Sequence, residues 1–155
     1  MAKHLCGCAL LALVMQGLLM AQTTSVKSPW AGIWRLVPEK SSAAAPSSGT
    51  IRIEDVADGI HVTSDSVSKA GTTSHTEYTA TFGGGDVAVA GAPADASAAV
   101  ARTGPRTFDV VTRSQGTTTT SRNEISADGR IRTVTSKLVI GNRESSMTVV
   151  YERER

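Results

Sequence analysis

Apolar and polar residues alternate along most of the chain after residue 30, in short segments separated by turn residues. Alternation with a period of two predicts β-strands that bury one face. Asp58-Gly59, Asp128-Gly129 and a run of three glycines at 83–85 are typical of tight turns between antiparallel strands. The pattern predicts about ten strands, over residues 33–37, 51–54, 60–63, 75–82, 87–89, 98–102, 107–111, 117–125, 131–139 and 146–152.

A meander of ten strands leaves two unpaired edges, and closing the sheet removes both. The sequence therefore predicts an all-β fold, a single antiparallel up-and-down β-barrel of about 8–10 strands over residues 30–155. Residues 41–50, rich in Ser, Ala and Pro, are predicted to be a flexible linker or loop, and residues 22–29 a flexible N-terminal segment. Alternation assigns these side chains to the barrel interior: Trp34, Leu36, Ile51, Ile53, Ile60, Val62, Tyr78, Ala80, Phe82, Val87, Val89, Val100, Phe108, Val110, Ile125, Val134, Leu138, Met147, Val149 and Tyr151.

Residues 1–21 have the composition of a secretory signal peptide, with a positive start, an uncharged run over residues 5–20 and a small residue at Ala21. The uncharged run is shorter than the roughly 20 residues of a membrane-spanning helix. The prediction is export, to a periplasm or outside the cell, with no stable membrane insertion after cleavage. Both cysteines, Cys6 and Cys8, would leave with the signal; lipidation at Cys8 is disfavoured because the apolar run follows it.

Charge and motifs exclude several classes of function. The formal net charge is +2, with basic residues scattered along the chain, which disfavours nucleic-acid binding. Alternation directs His61 and His75 to solvent, where they make poor catalytic bases and, with Glu77, only a weak metal site. Serine lies in no Gly-x-Ser-x-Gly motif, and the acidic residues mostly occupy turns. The sequence therefore predicts no enzyme, no catalytic or metal-binding residue and no cofactor.

Trp30-Ala31-Gly32-Ile33-Trp34-Arg35-Leu36-Val37 resembles the opening of the calycins, the group of lipocalins and fatty-acid-binding proteins, in which an aromatic residue precedes a Gly-x-Trp on the first strand. The close of the chain, Val149-Val150-Tyr151-Glu152-Arg153, is similar to the last strand of the fatty-acid-binding type. The whole chain also resembles small exported bacterial proteins of unknown function with a lipocalin-like outline. The resemblance implies a barrel that can hold a small ligand.

Two departures separate the chain from the fatty-acid-binding proteins. Residues 38–50 are too few for the two helices that those proteins place after their first strand. Val149 stands where that family has the arginine that binds the ligand carboxylate. The resemblance therefore implies the fold, and fatty-acid specificity does not carry over.

A ligand site is predicted inside the barrel, with a small hydrophobic or amphipathic molecule as the partner. Alternation places Arg102 and Arg132 on the inward side of their strands. Ile131 competes with Arg132 for the inward face, and an arginine at a strand end can instead extend to water at the rim. An inward guanidinium would meet the polar end of the ligand. The alternative is a non-enzymatic structural or protein-interaction module of the cell envelope. The predicted ligand-binding residues are Trp34, Tyr78, Arg102, Phe108, Arg132 and Tyr151.

Overall fold

The computed structural model describes residues 27–155. The predicted signal peptide, 1–21, and most of the predicted flexible segment, 22–29, lie outside the described residues. Within them the chain forms ten strands and one turn of 3-10 helix (Pro38–Lys40). The strands are β1 (Gly32–Leu36), β2 (Ser48–Val56), β3 (Gly59–Val67), β4 (Thr73–Thr81), β5 (Val87–Ala88), β6 (Ser97–Gly104), β7 (Thr107–Ser114), β8 (Thr117–Ile125), β9 (Ile131–Ile140) and β10 (Arg143–Arg153).

All ten strands belong to one antiparallel sheet in the order β4-β3-β2-β1-β10-β9-β8-β7-β6-β5. Each strand pairs with its sequence neighbour, except that β4 and β5 are not joined by a ladder and β1 pairs with β10. Trp34 lies opposite Arg153, and Leu36 lies opposite Tyr151. The first and last strands thereby close the meander, and the prediction of an all-β antiparallel barrel of about 8–10 strands is confirmed in outline, with ten strands.

The barrel is nearly closed, with a seam between β4 and the β5–β6 region. Glu77 and Ala90 exchange two backbone hydrogen bonds across the seam, with N···O distances of 3.1 and 2.9 Å. At the far end of β4, Gly83 donates to the carbonyl of Val100 at 2.9 Å. These few bonds join two sheet edges that would otherwise present unpaired backbone groups.

The predicted flexible linker or loop, 41–50, is wrong at its last three residues, and its first two residues are held by hydrogen bonds. Residues 48–50 belong to β2. The hydroxyls of Ser41 and Ser42 accept hydrogen bonds from the backbone N–H groups of Val150 and Thr148. A small polar composition is typical of loops, but here the same hydroxyls bond to unpaired positions of β10.

Two ends of the barrel differ in what fills them. At one end, here called the Trp30 end, β1 begins and the turns at 57–58, 105–106 and 126–130 lie. Trp30, which alternation did not assign to the interior, is 1% exposed and belongs to the hydrophobic core. The opposite end, here called the open end, carries the turns at 68–72, 115–116 and 141–142.

Candidate functional site

A buried arginine lies in the interior of the barrel, at the second position of β9 and so toward the Trp30 end. Arg132 on β9 is 5% exposed, and its neighbours in the register are Tyr151 on β10 and Ile125 on β8. Ile131, its competitor for the inward face, is only partly buried. The pleat of β9 sends alternate side chains to opposite faces, so Arg132 shares the interior with Val134 and Ser136.

Asn123 holds the guanidinium in place. Nε and Nη2 of Arg132 donate to Oδ1 of Asn123 at 3.1 and 2.6 Å, and Asn123 is 1% exposed. Asn123 in turn donates from Nδ2 to the carbonyl of Ser121 at 3.1 Å. A side chain with three of its hydrogen-bonding groups engaged has little rotamer freedom, so the amide fixes the plane of the guanidinium.

Aromatic rings surround the same guanidinium. Its central carbon lies 5.4 Å from the ring centroid of Tyr151 and 5.9 Å from that of Phe108. Distances below about 6 Å allow a cation–π attraction, which is stronger when the pair is away from water. The rings stabilise the positive charge but neutralise none of it.

The two tyrosines near Arg132 stay protonated in the folded protein. Burial raises the pKa of Tyr78 to about 12, and the charge of Arg132 opposes that rise. Burial also raises the pKa of Tyr151, again with Arg132 in opposition. Tyr78 lies on β4, across the barrel from β9, so its electrostatic coupling to Arg132 runs through the interior. Both phenols therefore keep the hydroxyl proton that a hydrogen-bond donor needs.

The charge of Arg132 is not balanced by a carboxylate anywhere in residues 27–155, where no ion pair includes it. Its Nη1 atom is buried and has no hydrogen-bond partner. Burial lowers the pKa of Arg132, but a guanidinium remains charged at neutral pH. Leaving a buried charge unpaired costs several kcal/mol, so this guanidinium destabilises the folded chain unless a partner outside the described residues pairs with it.

A cleft of about 270 Å³ at the open end leads down to Tyr78. Inward residues of β4, β7 and β8 form one side, and the loop between β5 and β6 forms the other. Tyr78 lines this cleft, whereas Arg132 and Asn123 do not. The lining of the cleft consists of Thr76, Tyr78, Val89, Ala92, Pro93, Ala96, Ser97, Thr112, Arg113, Ser114, Thr117 and Thr119.

The Trp30 end is filled by side chains. Trp30, Phe82 and Phe108 pack edge to face, with centroid separations of 5.5, 5.5 and 6.3 Å. Arg153 covers Trp34 at 4.2 Å and donates hydrogen bonds to the carbonyls of three residues in the adjoining turns, Pro29, Ala31 and Gly129. These side chains close the Trp30 end of the barrel, and together they are called the plug below.

Of the six predicted ligand-binding residues, the structure brings Phe108, Arg132 and Tyr151 together, and the pKa of Tyr78 responds to the charge of Arg132. Trp34 is inside but fully buried at the Trp30 end, where Nε1 donates to the carbonyl of Trp30 at 2.7 Å. Arg102 lies apart: it is exposed, and its guanidinium stacks on Trp30 at 4.7 Å and Phe82 at 5.1 Å. Arg102 lines an open pocket that also contains Asp55 and Asp58, so its side chain lies at the rim of the barrel and not in the interior.

Asn123 is the residue that sequence reasoning missed. It has the inward parity of Ile125, two positions further along β8. The inward set was assembled from apolar residues, so a buried amide beside an inward arginine was overlooked. Applying the same alternation to polar residues would have found it.

The histidines lie on the outer face of β3 and β4. Nδ1 of His75 is 2.6 Å from Oδ1 of Asp65, and Nε2 of His61 is 3.5 Å from Oε1 of Glu77. The hydrogen bond with Asp65 raises the pKa of His75. Across the described part of the chain, no group of three or more His, Cys, Asp or Glu side chains is arranged to hold a metal ion.

Comparison with known proteins places the fold. No protein-family model matches the chain, and no curated protein sequence matches it either. Among solved structures it is similar to a Schistosoma mansoni fatty acid binding protein in complex with arachidonic acid, at 14% identity and a TM-score of 0.57, covering 83% of this chain and 98% of that one.

Two further structures are similar. One is the fluorescent protein UnaG, at 15% identity and a TM-score of 0.56, covering 81% of this chain and 97% of that one. The other is a zebrafish ileal bile acid-binding protein complexed with cholic acid, at 12% identity and a TM-score of 0.54, covering 82% of this chain and 100% of that one. The chain thus has the fold of the calycin-type β-barrels; identities this low show the fold alone.

From residue 27 onward, the structure contains no helix with the length and hydropathy needed to cross a membrane.

Proposed function

We propose that this protein binds one small acidic molecule inside its barrel, with the acid group held by Arg132. The observation that carries the proposal is a buried guanidinium that no carboxylate in the described chain neutralises and whose Nη1 has no partner. The proposed role is that of a non-catalytic carrier.

The geometry of Arg132 suits a carboxylate. Asn123 occupies Nε and one N–H of Nη2, which leaves both N–H groups of Nη1 and one of Nη2. Neighbouring N–H groups on two nitrogens can bind the two oxygens of a carboxylate in parallel. The phenols of Tyr78 and Tyr151 add neutral donors beside them.

Two of the structurally similar proteins hold acids, arachidonic acid in one and cholic acid in the other. Their fold supports a ligand inside the barrel, and the buried arginine of this chain supports the acid. The negative charge of the proposed ligand is inferred from Arg132 alone, because a shared fold does not specify the ligand.

The test is a matched titration with hexanoate and hexanol, which share a chain length and differ in charge. The readouts are the NMR shifts of the Asn123 side-chain amide and of the Arg132 Nε–H. We expect saturable shifts with hexanoate and at least a tenfold weaker effect with hexanol, since a charge-assisted bidentate contact contributes about 1.5–3 kcal/mol.

Arg132→Met should abolish hexanoate binding, and Arg102→Met, at the Trp30 end, should leave it unchanged. Equal binding of hexanoate and hexanol, or equal binding by the Arg132→Met variant, would contradict the proposal. A protein that binds neither compound would favour the alternative, an interaction module that uses its outer surface.

Export is part of the proposal and rests on the composition of residues 1–21. Expression of the full chain in a bacterial host, followed by cell fractionation and N-terminal sequencing, tests it. A mature N-terminus near Gln22 in the periplasm or medium is expected, and an intact chain starting at Met1 in the cytoplasm would contradict export.

A further inference from the structure

An open pocket of about 540 Å³ lies at the rim of the Trp30 end and is here called the rim pocket. The end of β2, the start of β3, the residue after β4 and the last part of β6 contribute to it. Neither Arg132 nor Asn123 lines it, so it is separate from the site of the proposed function. Its lining consists of Ser28, Asp55, Val56, Asp58, Gly59, Phe82 and Arg102.

Arg102 presents a guanidinium to the rim pocket in an orientation set by two aromatic rings. Its central carbon lies 4.7 Å from the ring centroid of Trp30 and 5.1 Å from that of Phe82. Within residues 27–155, no carboxylate forms an ion pair with Arg102. Stacking on rings orients a guanidinium without neutralising it, so the charge of Arg102 is available to an anionic group in the pocket.

Two carboxylates line the same pocket. Asp55 accepts hydrogen bonds from the backbone N–H of Ser28, at 3.0 Å, and from its hydroxyl, which together orient the carboxylate. Asp58 lies in the turn between β2 and β3 with a φ of +55°, a conformation that aspartate adopts more readily than most residues. No ion pair of the described chain includes either aspartate, so both negative charges are available to a cationic group.

The rim pocket also has apolar surface. Val56 is 38% exposed, and only two other large hydrophobic side chains between residues 27 and 155, Val139 and Ile140, are exposed to a similar or greater degree. Phe82, which lines the pocket beside Arg102, is half-buried. Covering Val56 and Phe82 with an apolar group would remove both surfaces from water, which favours binding.

The mixture of charges disfavours a ligand that carries one sign of charge alone. A simple anion at Arg102 would lie in a pocket with two carboxylates, and a simple cation at Asp55 and Asp58 would lie in a pocket with a guanidinium. Like charges brought together oppose binding and so select against such ligands. A molecule that carries both charges meets a partner for each of them.

We infer that the rim pocket binds a small zwitterion, an α-amino acid with an apolar side chain. The carboxylate of the ligand meets Arg102, and its ammonium group meets Asp55 and Asp58. Its side chain covers Val56 and Phe82. The volume of about 540 Å³ lies within the range of about 300–1,000 Å³ that is typical of small-molecule sites. The inference goes beyond the proposed function, because it assigns a second ligand to a second site.

The experiment compares three probes that share a phenyl ring and differ in charge. L-Phenylalanine has an ammonium group and a carboxylate, 3-phenylpropanoate has the carboxylate alone, and 2-phenylethylammonium has the ammonium group alone. The readouts on the purified protein are the NMR shifts of the Arg102 Nε–H, the Trp30 indole N–H and the Gly59 backbone amide. We expect phenylalanine to bind at least about fivefold more tightly than either analogue, a ratio of about 1 kcal/mol, which is the upper end for an ion pair exposed to solvent.

Two variants assign the two charges of the ligand. Arg102→Met should abolish the preference for phenylalanine over 2-phenylethylammonium. Asp58→Asn, which keeps a residue that tolerates positive φ, should reduce the preference over 3-phenylpropanoate. The matched control is Arg106→Met, because Arg106 is exposed in the next turn at the same end and does not line the pocket. It should change neither preference, and thermal unfolding checks that all three variants are folded.

Equal binding of phenylalanine and either analogue would overturn the inference, because one of the two charges would then have no partner. Binding of none of the probes, or unchanged phenylalanine binding by Arg102→Met, would also overturn it. The outcome is independent of the proposed function: Arg132→Met should lose hexanoate binding, read at Asn123, and keep phenylalanine binding. Loss of phenylalanine binding in Arg132→Met, with none in Arg102→Met, would contradict the separate site.

Discussion

At the scale of single residues, Arg132 is the feature that the fold does not require. Strand alternation identified its inward side chain from the sequence, because parity along a strand is a local property. Arg102 has the same parity, yet its side chain lies at the rim, because its strand ends two residues later and a long side chain there can reach water. Arg132 also lies next to a strand end, as the second residue of β9, but the buried Asn123 of β8 binds its guanidinium inside the barrel. Parity alone did not distinguish the two arginines, because the residue that separates them lies on another strand.

Replacing the polar pair by apolar residues should stabilise the protein. In the double variant Arg132→Met/Asn123→Leu, the cost of burying an unpaired charge disappears together with the amide that orients it. The free energy of unfolding in urea should rise by about 1–3 kcal/mol, while the Arg132-dependent binding of hexanoate is lost. A decrease in the free energy of unfolding would show that the pair is a net stabilising element of the core.

The two tyrosines should resist ionisation as the pH rises. The folded pKa of Tyr78 is about 12, whereas the unfolded value is about 10, so the folded state retains a proton that the unfolded state loses. The stability contributed by this group is complete below pH of about 10 and falls as the pH rises toward 12, by about 2 kcal/mol.

Ultraviolet absorbance of tyrosinate measures this directly, because Tyr78 and Tyr151 are the chain's only tyrosines. We expect no tyrosinate signal in the folded protein near pH 10 and a signal that appears together with unfolding. Tyr78→Phe should show a smaller loss of stability over the same pH range. A normal titration of both groups in the folded protein would contradict the buried placement.

At the scale of elements, the Trp30 end depends on Arg153 as much as on aromatic packing. The sequence indicated the Gly-x-Trp start of β1 but not the contact of Arg153 with the carbonyls of Pro29, Ala31 and Gly129. Those groups are separated by up to 124 positions in the chain, and no local pattern connects them. The same limit explains the linker at 41–50, whose hydroxyl groups bond to β10.

Arg153→Met should destabilise the barrel by about 2–4 kcal/mol, since it leaves several carbonyl groups without their charged donor. Arg35→Met is the matched control. Arg35 forms only an exposed ion pair with Glu154, at 2.9 Å, so its loss should cost less than about 1 kcal/mol. Urea unfolding followed by tryptophan fluorescence compares the two, and equal effects would contradict the role of Arg153 in the plug.

At the scale of the whole molecule, the order of strands was predictable and the location of the seam was not. A meander pairs sequence neighbours, and sheet closure follows from the need to cover edges. Whether β1 pairs with β10 and leaves the gap beside β4 depends on the stagger of all ten strands, which alternation does not specify. Gly91 marks the seam: its φ is +76°, and a Cβ there would clash with the carbonyl oxygen of His75.

Gly91→Ala should therefore destabilise the protein more than Gly71→Ala. Both glycines have positive φ, +76° and +83°, but nothing lies within 4 Å of a Cβ at Gly71. The Gly71 variant should lose about 1 kcal/mol from backbone strain alone, and the Gly91 variant about 2 kcal/mol more, from the clash. Faster amide hydrogen exchange at Glu77 and Ala90 should accompany the larger loss, and equal stability of the two variants would contradict the tight seam.

The most direct test of the central claim, that the barrel holds one acid at Arg132, is native mass spectrometry of the purified protein beside its Arg132→Met variant. Each is incubated with the same mixture of small carboxylic acids, including gluconate and hexanoate. The claim predicts one bound acid per chain in the unchanged protein and none in the variant. Acid bound equally by both proteins, or by neither, would contradict it.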